Sequence, residues 1–196
     1  ISNLTRSFVF RYYIKRDIIS QYLPGAILGL SLSSSIICAL IYFFQVESAK
    51  EIRIDFLKPL IGIFILWFLF GKQHTIKTKE PHFFAVGTIS GLCTVFIGAT
   101  GPLIAPFFLK SKLTKENIIA NKAACQAISH LGKIPLFILF FKFDYFAEMN
   151  ILIPLVIAVF VGTNIGKHIL KFIPDKTFRI LFKAVLSIIA IKLIID

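Results

Sequence analysis

Charge is what this chain has least of. Only 16% of its 196 residues are charged, against 57% hydrophobic, and ten acids face 22 bases. That balance excludes an ordinary soluble domain, which carries about 25% charge. Cysteine is nearly as sparse: Cys38, Cys93 and Cys125 all fall inside apolar runs, without CxxC spacing or a neighbouring pair of histidines. They read as small hydrophobes, so no disulfide and no metal site is expected. No P-loop, HExxH or GxSxG occurs, which removes the usual supports for ATP coupling or hydrolysis. No cofactor is called for, an enzyme is not expected, and no cleavable signal peptide is read.

What the chain has instead is length of apolar sequence. Uncharged or nearly uncharged runs recur at 22–46, 54–71, 83–109, 134–141, 151–166 and 180–195. Crossing a bilayer takes roughly 20 apolar residues, so the expected class is an all-α polytopic membrane protein with the lipid bilayer as its surroundings. The net charge of +12 would suggest nucleic acid in a soluble chain. Here the bases sit in the loops between apolar runs and form no single basic face, so no nucleic-acid partner is expected.

Writing the chain against itself exposes a repeat. Residues 1–10 lie over 128–137, with Ile1, Ser2, Leu4 and Phe10 identical and Arg6 facing Lys133. Pro24 then falls on Pro154, and 53–63 on 179–189 with Arg53, Ile54, Phe56, Leu60 and Ile63 identical. Three weak matches in one order, separated by short indels, make two copies of one unit. The organisation expected is a remainder of the first transmembrane repeat (1–71), a basic inter-repeat loop (72–82) and a complete second repeat (83–196). The second copy starts about 45 residues before its match begins. The chain opens on Ile1 and not Met, so a matching upstream segment with its own broken run is expected to be missing here.

The run 83–109 holds Gly98-Ala99-Thr100-Gly101-Pro102 in its middle. Two glycines and a proline stop it from being one clean helix. Backbone opened at membrane depth survives only where protein buries it or a cavity hydrates it, and transporters bind substrate at such breaks. If 83–109 crossed the membrane once, the loops would place eight Lys and Arg on each side. If it is a re-entrant hairpin, thirteen fall on one side and three on the other. The positive-inside rule selects the hairpin, which also makes the two repeats inverted. The half-helices Phe83–Ile97 and Leu103–Leu109 reach only about 22 Å and 10 Å, short of a bilayer core.

After the break, Thr114 reads as a helix cap. The helix that follows carries Lys122, Gln126, Ser129 and Lys133 within an arc of about 60°, with His130 about 40° to one side and Ile119, Ala120, Ala123, Ala127 and Leu131 on the apolar face. A lysine midway along a membrane helix is costly unless it faces a cavity or a partner. The first copy repeats the stripe as Ser2 and Arg6. Lys133 either snorkels to the headgroups or lines a substrate path. His130 either bonds a neighbouring helix or carries a proton. Three GxxxG pairs, Gly25/Gly29, Gly87/Gly91 and Gly162/Gly166, are read as close helix packing. Thr163 and Asn164, inside the last pair, are placed to hydrogen-bond across that interface. Exposed amides at the break and the cations Lys133 and Arg6 suit a small anion that stays ionised.

These residues resemble a known family. Residues 87–109 are similar to the second glycine-proline motif of the TauE/SafE sulfite-exporter family, 118–137 to the helix after it, and 161–186 to its C-terminal pair. The resemblance implies a secondary transporter in a bacterial-type inner (plasma) membrane, multi-pass, carrying sulfite, sulfoacetate or a related inorganic or organosulfur anion. By the same resemblance Gly98, Gly101 and Pro102 occupy motif positions, with Thr100 among them, and Gln126, Ser129 and Lys133 lie beside them. Ala99 and Thr100 stand where the family often has glycine. The substrate-binding set expected is Gly98, Thr100, Gly101, Pro102, Gln126, Ser129, His130, Lys133, Ser2 and Arg6. A homo-oligomer is compatible with this reading. The rivals are a transport-inactive membrane fragment or scaffold, and an intramembrane enzyme using Cys125 or His130, which would need a third converging polar group.

Overall fold

In lipid an apolar segment satisfies its backbone by coiling on itself, and every secondary element among the described residues is helical. The computed structural model describes residues 2–45, 57–71, 82–97, 100–141 and 149–195. The helices are α1 (Ser2–Val9), α2 (Arg16–Phe44), α3 (Leu57–Phe70), α4 (Phe83–Ile97), α5 (Gly101–Lys110), α6 (Lys115–Phe141), α7 (Met149–Lys171) and α8 (Asp175–Ile195), with one 3-10 turn at Arg11–Tyr13. Three of them, α2, α6 and α7, are long and apolar enough to cross a membrane, whereas α3, α4 and α5 are shorter apolar helices. Large apolar side chains point outward throughout, among them Ile27, Trp67, Leu139, Ile157 and Ile188. An apolar exterior of this extent is a lipid-facing surface and not one for water.

The tightest packing joins α2 to α4. A Cβ built on Gly25 would strike the Phe84 carbonyl, one on Gly29 the Thr88 carbonyl, one on Gly87 the Tyr22 carbonyl and one on Gly91 the Ala26 carbonyl. Numbers rise together along both helices, so they run parallel with backbones in contact. The glycines are what lets them approach. Helix α6 follows the same direction: Asn121 reaches the start of α2, Ser129 meets Tyr22, and Gly132 meets Leu30. Near the far end Ile37 and Val95 pack with Leu136, Phe137 and Phe140.

The remaining helices return. The Phe83 ring, at the start of α4, lies 5.3 Å from the Phe108 ring near the end of α5. Helices α4 and α5 thus form a hairpin whose outer ends meet, and residues 98–99 of its turn lie outside the described residues. Helix α5 starts at Gly101, two residues earlier than the sequence suggests, with Pro102 in its first turn, where a missing N–H costs nothing. Arg179 of α8 donates to the carbonyls of Leu109, Ser111 (3.3 Å) and Leu113, capping the turn that joins α5 to α6. Helix α3 runs antiparallel to α8, with Gly62 against Ala190 and Ile194 at one end and Lys183 over the Phe70 ring at the other. The starts of α2, α4, α6 and α8 and the ends of α1, α3, α5 and α7 therefore gather at one basic end of the molecule.

Thr114 caps α6 as read from sequence, accepting from Asn117 N at 3.3 Å. Ala120, Ala123 and Ala127 are buried on the apolar face of α6, while Leu131 is exposed. The three cysteines are free thiols: Cys125 buried, Cys93 partly buried and Cys38 exposed. Two readings need correction. Asn164 donates to Phe160 O of its own helix at 2.9 Å, so it spans no interface. Among the described residues nothing lies within 4 Å of where a Cβ would stand on Gly162 or Gly166, so the third GxxxG pair is not packed against another described helix.

Candidate functional site

The close approach of α2 and α4 presses polar groups together in the interior. Tyr22 donates its phenol to Ser90 Oγ at 2.6 Å and lies 2.7 Å from Ser129 Oγ, while the two serine hydroxyls are 3.3 Å apart. All three residues are fully buried. Three hydroxyls from α2, α4 and α6 so satisfy one another where no water is needed, and together they fix the register of those helices. One turn on from Ser90, Thr94 is also fully buried, as is Thr100 at the start of α5, and neither hydroxyl has a hydrogen-bond partner among the described residues. A buried hydroxyl left unpaired costs about 1–3 kcal/mol. Two of them flanking the turn of the α4–α5 hairpin mark it as a polar place in an apolar molecule.

Gln126 connects this seam to the surface of α6. It is buried, and a Cβ on Gly101 would come within 2.9 Å of its Nε2. A side chain at 101 would push the amide aside. The first bond of the α5 ladder is Ile104 N to Thr100 O at 3.1 Å, so the amides of Gly101 and Leu103 precede the ladder. They carry the partial positive charge of a helix start.

On its other flank Gln126 lines a cavity of about 120 Å³ together with Arg6, Lys122 and an apolar wall that includes Phe178 and Phe182. The Lys122 ammonium lies 5.7 Å from the Phe182 ring centre. Among the described residues no carboxylate lines the cavity, and the ion pairs join Lys115 to Glu116 and Asp175 at the basic end. Two cations with one neutral amide and no acid make a space that repels cations and is stabilised by an anion. Arg6 also lines a second, larger cavity of about 380 Å³, together with Ser2, Thr163 and Lys167.

Of the residues singled out from sequence, the structure brings Thr100, Gly101 and Gln126 to one place and joins Arg6 to Gln126 across the cavity. Pro102 follows Gly101 in the first turn of α5. Ser129 turns inward to Tyr22, and Ser2 lines the larger cavity. His130 is half-buried further along α6, and Lys133, about 10 Å beyond Gln126 by helix rise, lies 4.8 Å from the Phe137 ring. Gly98 lies outside the described residues. Sequence reasoning passed over Tyr22, Ser90 and Lys167. The signal for Ser90 was its place between Gly87 and Gly91, on the turn that a glycine pair presses against its neighbour.

A family model described as sulfite exporter TauE/SafE matches residues 2–193. No curated protein and no solved structure matches the chain significantly. A helical membrane protein with a short paired hairpin and a cationic, acid-free cavity is coherent with that match. The chain belongs to the TauE/SafE sulfite exporter family of membrane transporters.

Proposed function

We propose that the chain acts as a secondary carrier of small anions, sulfite, sulfoacetate or a related organosulfur anion, in a bacterial-type inner membrane. The observation that carries this reading is the convergence of Arg6, Lys122 and Gln126 on one cavity without a carboxylate. An oxyanion entering it gains two charge-assisted contacts and an amide donor, each charged contact contributing about 1.5–3 kcal/mol. Thr100, Gly101 and Pro102 shape the inner end of the path, and the α5 start adds its helix dipole. His130 and Lys133 continue the path along α6 towards the opposite end.

The repeat supports the same reading. Helices α1, α2 and α3 correspond in order to the end of α6, α7 and α8, and each member runs opposite to its counterpart. Inverted repeats around a broken helix are a common carrier plan, with the site at the repeat interface. In this plan 1–71 is the remainder of the first unit, 72–82 the joining loop and 83–196 the second unit. The α4–α5 hairpin is re-entrant from the basic, cytoplasmic side.

The test is flux into proteoliposomes with sulfite, sulfoacetate, thiosulfate and sulfate, comparing wild type with Arg6→Gln, Lys122→Gln and Lys133→Ala. Saturable flux of at least one of these anions, lowered about tenfold or more in the Arg6 and Lys122 variants, is expected. Absence of flux for every anion by a folded, correctly inserted protein would remove the carrier reading and leave a membrane scaffold.

A further inference from the structure

The cavity of about 380 Å³ lies between α1 and α7, at the basic end of the molecule. Its polar lining among the described residues is Ser2, Arg6, Thr163 and Lys167, with no acidic residue. Lys167 is held in place there: its ammonium donates to Val9 O at 2.9 Å and stands 5.5 Å from the Phe10 ring centre. It lies four residues before the end of α7, about 6 Å along the helix, which is headgroup depth at the end where the basic loops collect.

The other half of the observation is α7 itself. Leu170 is its buried residue among those described, and nothing comes within 4 Å of the missing Cβ positions of Gly162 and Gly166. Both glycines line the cavity. The cationic pocket therefore opens sideways into a smooth apolar trough along a helix that faces lipid. A free inorganic anion would gain only from the pocket. A molecule with an anionic head and a hydrocarbon tail gains from both parts at once. Basic pockets between helices on the cytoplasmic side recognise anionic phospholipid headgroups in this way.

We propose that the α1–α7 groove binds one anionic phospholipid of the cytoplasmic leaflet, with its phosphate at Arg6 and Lys167 and an acyl chain along Gly162 and Gly166. Thr163 and Ser2 donate to the phosphate oxygens. The site lies on the far side of Arg6 from Gln126 and Lys122, so its occupancy holds Arg6 from one side while the smaller cavity uses it from the other. The inference stands whether or not the chain carries sulfite.

The experiment uses the full chain purified from mixed phosphatidylglycerol and phosphatidylcholine membranes, with lipid retention read by native mass spectrometry after graded delipidation. Wild type is expected to keep one phosphatidylglycerol in preference to phosphatidylcholine. Lys167→Gln should lower that retention about fivefold, the effect of one cation at an anionic surface, and Lys167→Arg should restore it. Gly162→Leu fills the trough without touching a charge and should also lower retention. Lys183→Gln, outside the groove, should not change it. Inorganic phosphate at millimolar concentration should not displace the lipid. Equal retention of the two lipids, or no change in either Lys167→Gln or Gly162→Leu with the protein folded by circular dichroism, would overturn the proposal. Phosphate competition with no effect of Gly162→Leu would make the groove a free-anion site. Disulfide cross-linking of Gly162→Cys to a second copy or to another polypeptide would make it a protein interface. Either outcome also overturns the proposal.

Discussion

Two parts of this molecule carry the same sequence motif and use it in opposite ways. On α2 and α4 the pairs Gly25/Gly29 and Gly87/Gly91 face each other, and each would drive a methyl group into the partner's backbone. On α7 the pair Gly162/Gly166 meets nothing among the described residues. Small residues four apart permit backbones to approach; they do not by themselves bring a partner. What α2 and α4 have in addition is the hydroxyl cluster of Tyr22, Ser90 and Ser129, which in an apolar medium can be satisfied only by closing that interface. On α7 the polar residues inside the pair do not reach across a helix interface: Asn164 bonds its own backbone and Thr163 faces the groove, while Lys167, just beyond the pair, crosses to Val9 O of α1 with a single bond and leaves the glycines open.

Substitutions that treat the two motifs alike will separate them. Gly91→Val places two methyl groups against the Ala26 carbonyl, where no flexible side chain can give way. It should cost more than about 3 kcal/mol, beyond ordinary overpacking, and be seen as loss of monodisperse protein on size-exclusion chromatography. Tyr22→Phe removes the donor that ties α2 to Ser90 and Ser129 and should destabilise by about 1–3 kcal/mol, measured as a lower midpoint in detergent thermal unfolding. Thr94→Val replaces an unpaired buried hydroxyl by an isosteric methyl. It should leave stability unchanged or raise it by up to about 1 kcal/mol, and a clear loss would mean that the hydroxyl has a bonded partner. Gly166→Ala, the mildest, adds a methyl to open space in a helix and should stabilise by a few tenths to about 1 kcal/mol. A loss there as large as that for Gly91→Val would show that α7 is packed against something after all.

How much of this was legible beforehand follows the same division. The helices, the interruption at Gly98–Pro102, the cap at Thr114 and the return of α5 to the start of α4 all leave marks in one dimension, as apolar length, breaker residues and loop charge. The resemblance to TauE/SafE was legible for a similar reason, since its motifs are contiguous. Contacts between distant segments leave no such mark. Asn121 accepts from Lys15 N at 2.8 Å and donates to Tyr13 O at 3.1 Å, tying α6 to the start of α2, yet by spacing it is one polar residue among several on α6. Tyr22 sits in an apolar run where a phenol is unremarkable until Ser90 and Ser129 are brought to it. The polar stripe of α6 was readable as a stripe, but which of its members share a cavity was not. Gln126 and Lys122 meet Arg6, while Lys133 stands over Phe137.

In the proposed carrier the anion sits in the cavity shared by Arg6, Lys122 and Gln126. The most direct measurement is equilibrium binding of radiolabelled sulfite to the purified protein, with Lys122→Gln and Lys183→Gln compared side by side. Saturable binding displaced by unlabelled sulfoacetate, weakened about tenfold or more by Lys122→Gln and untouched by Lys183→Gln, is the expected result. Saturable binding of equal strength in wild type and Lys122→Gln would contradict it.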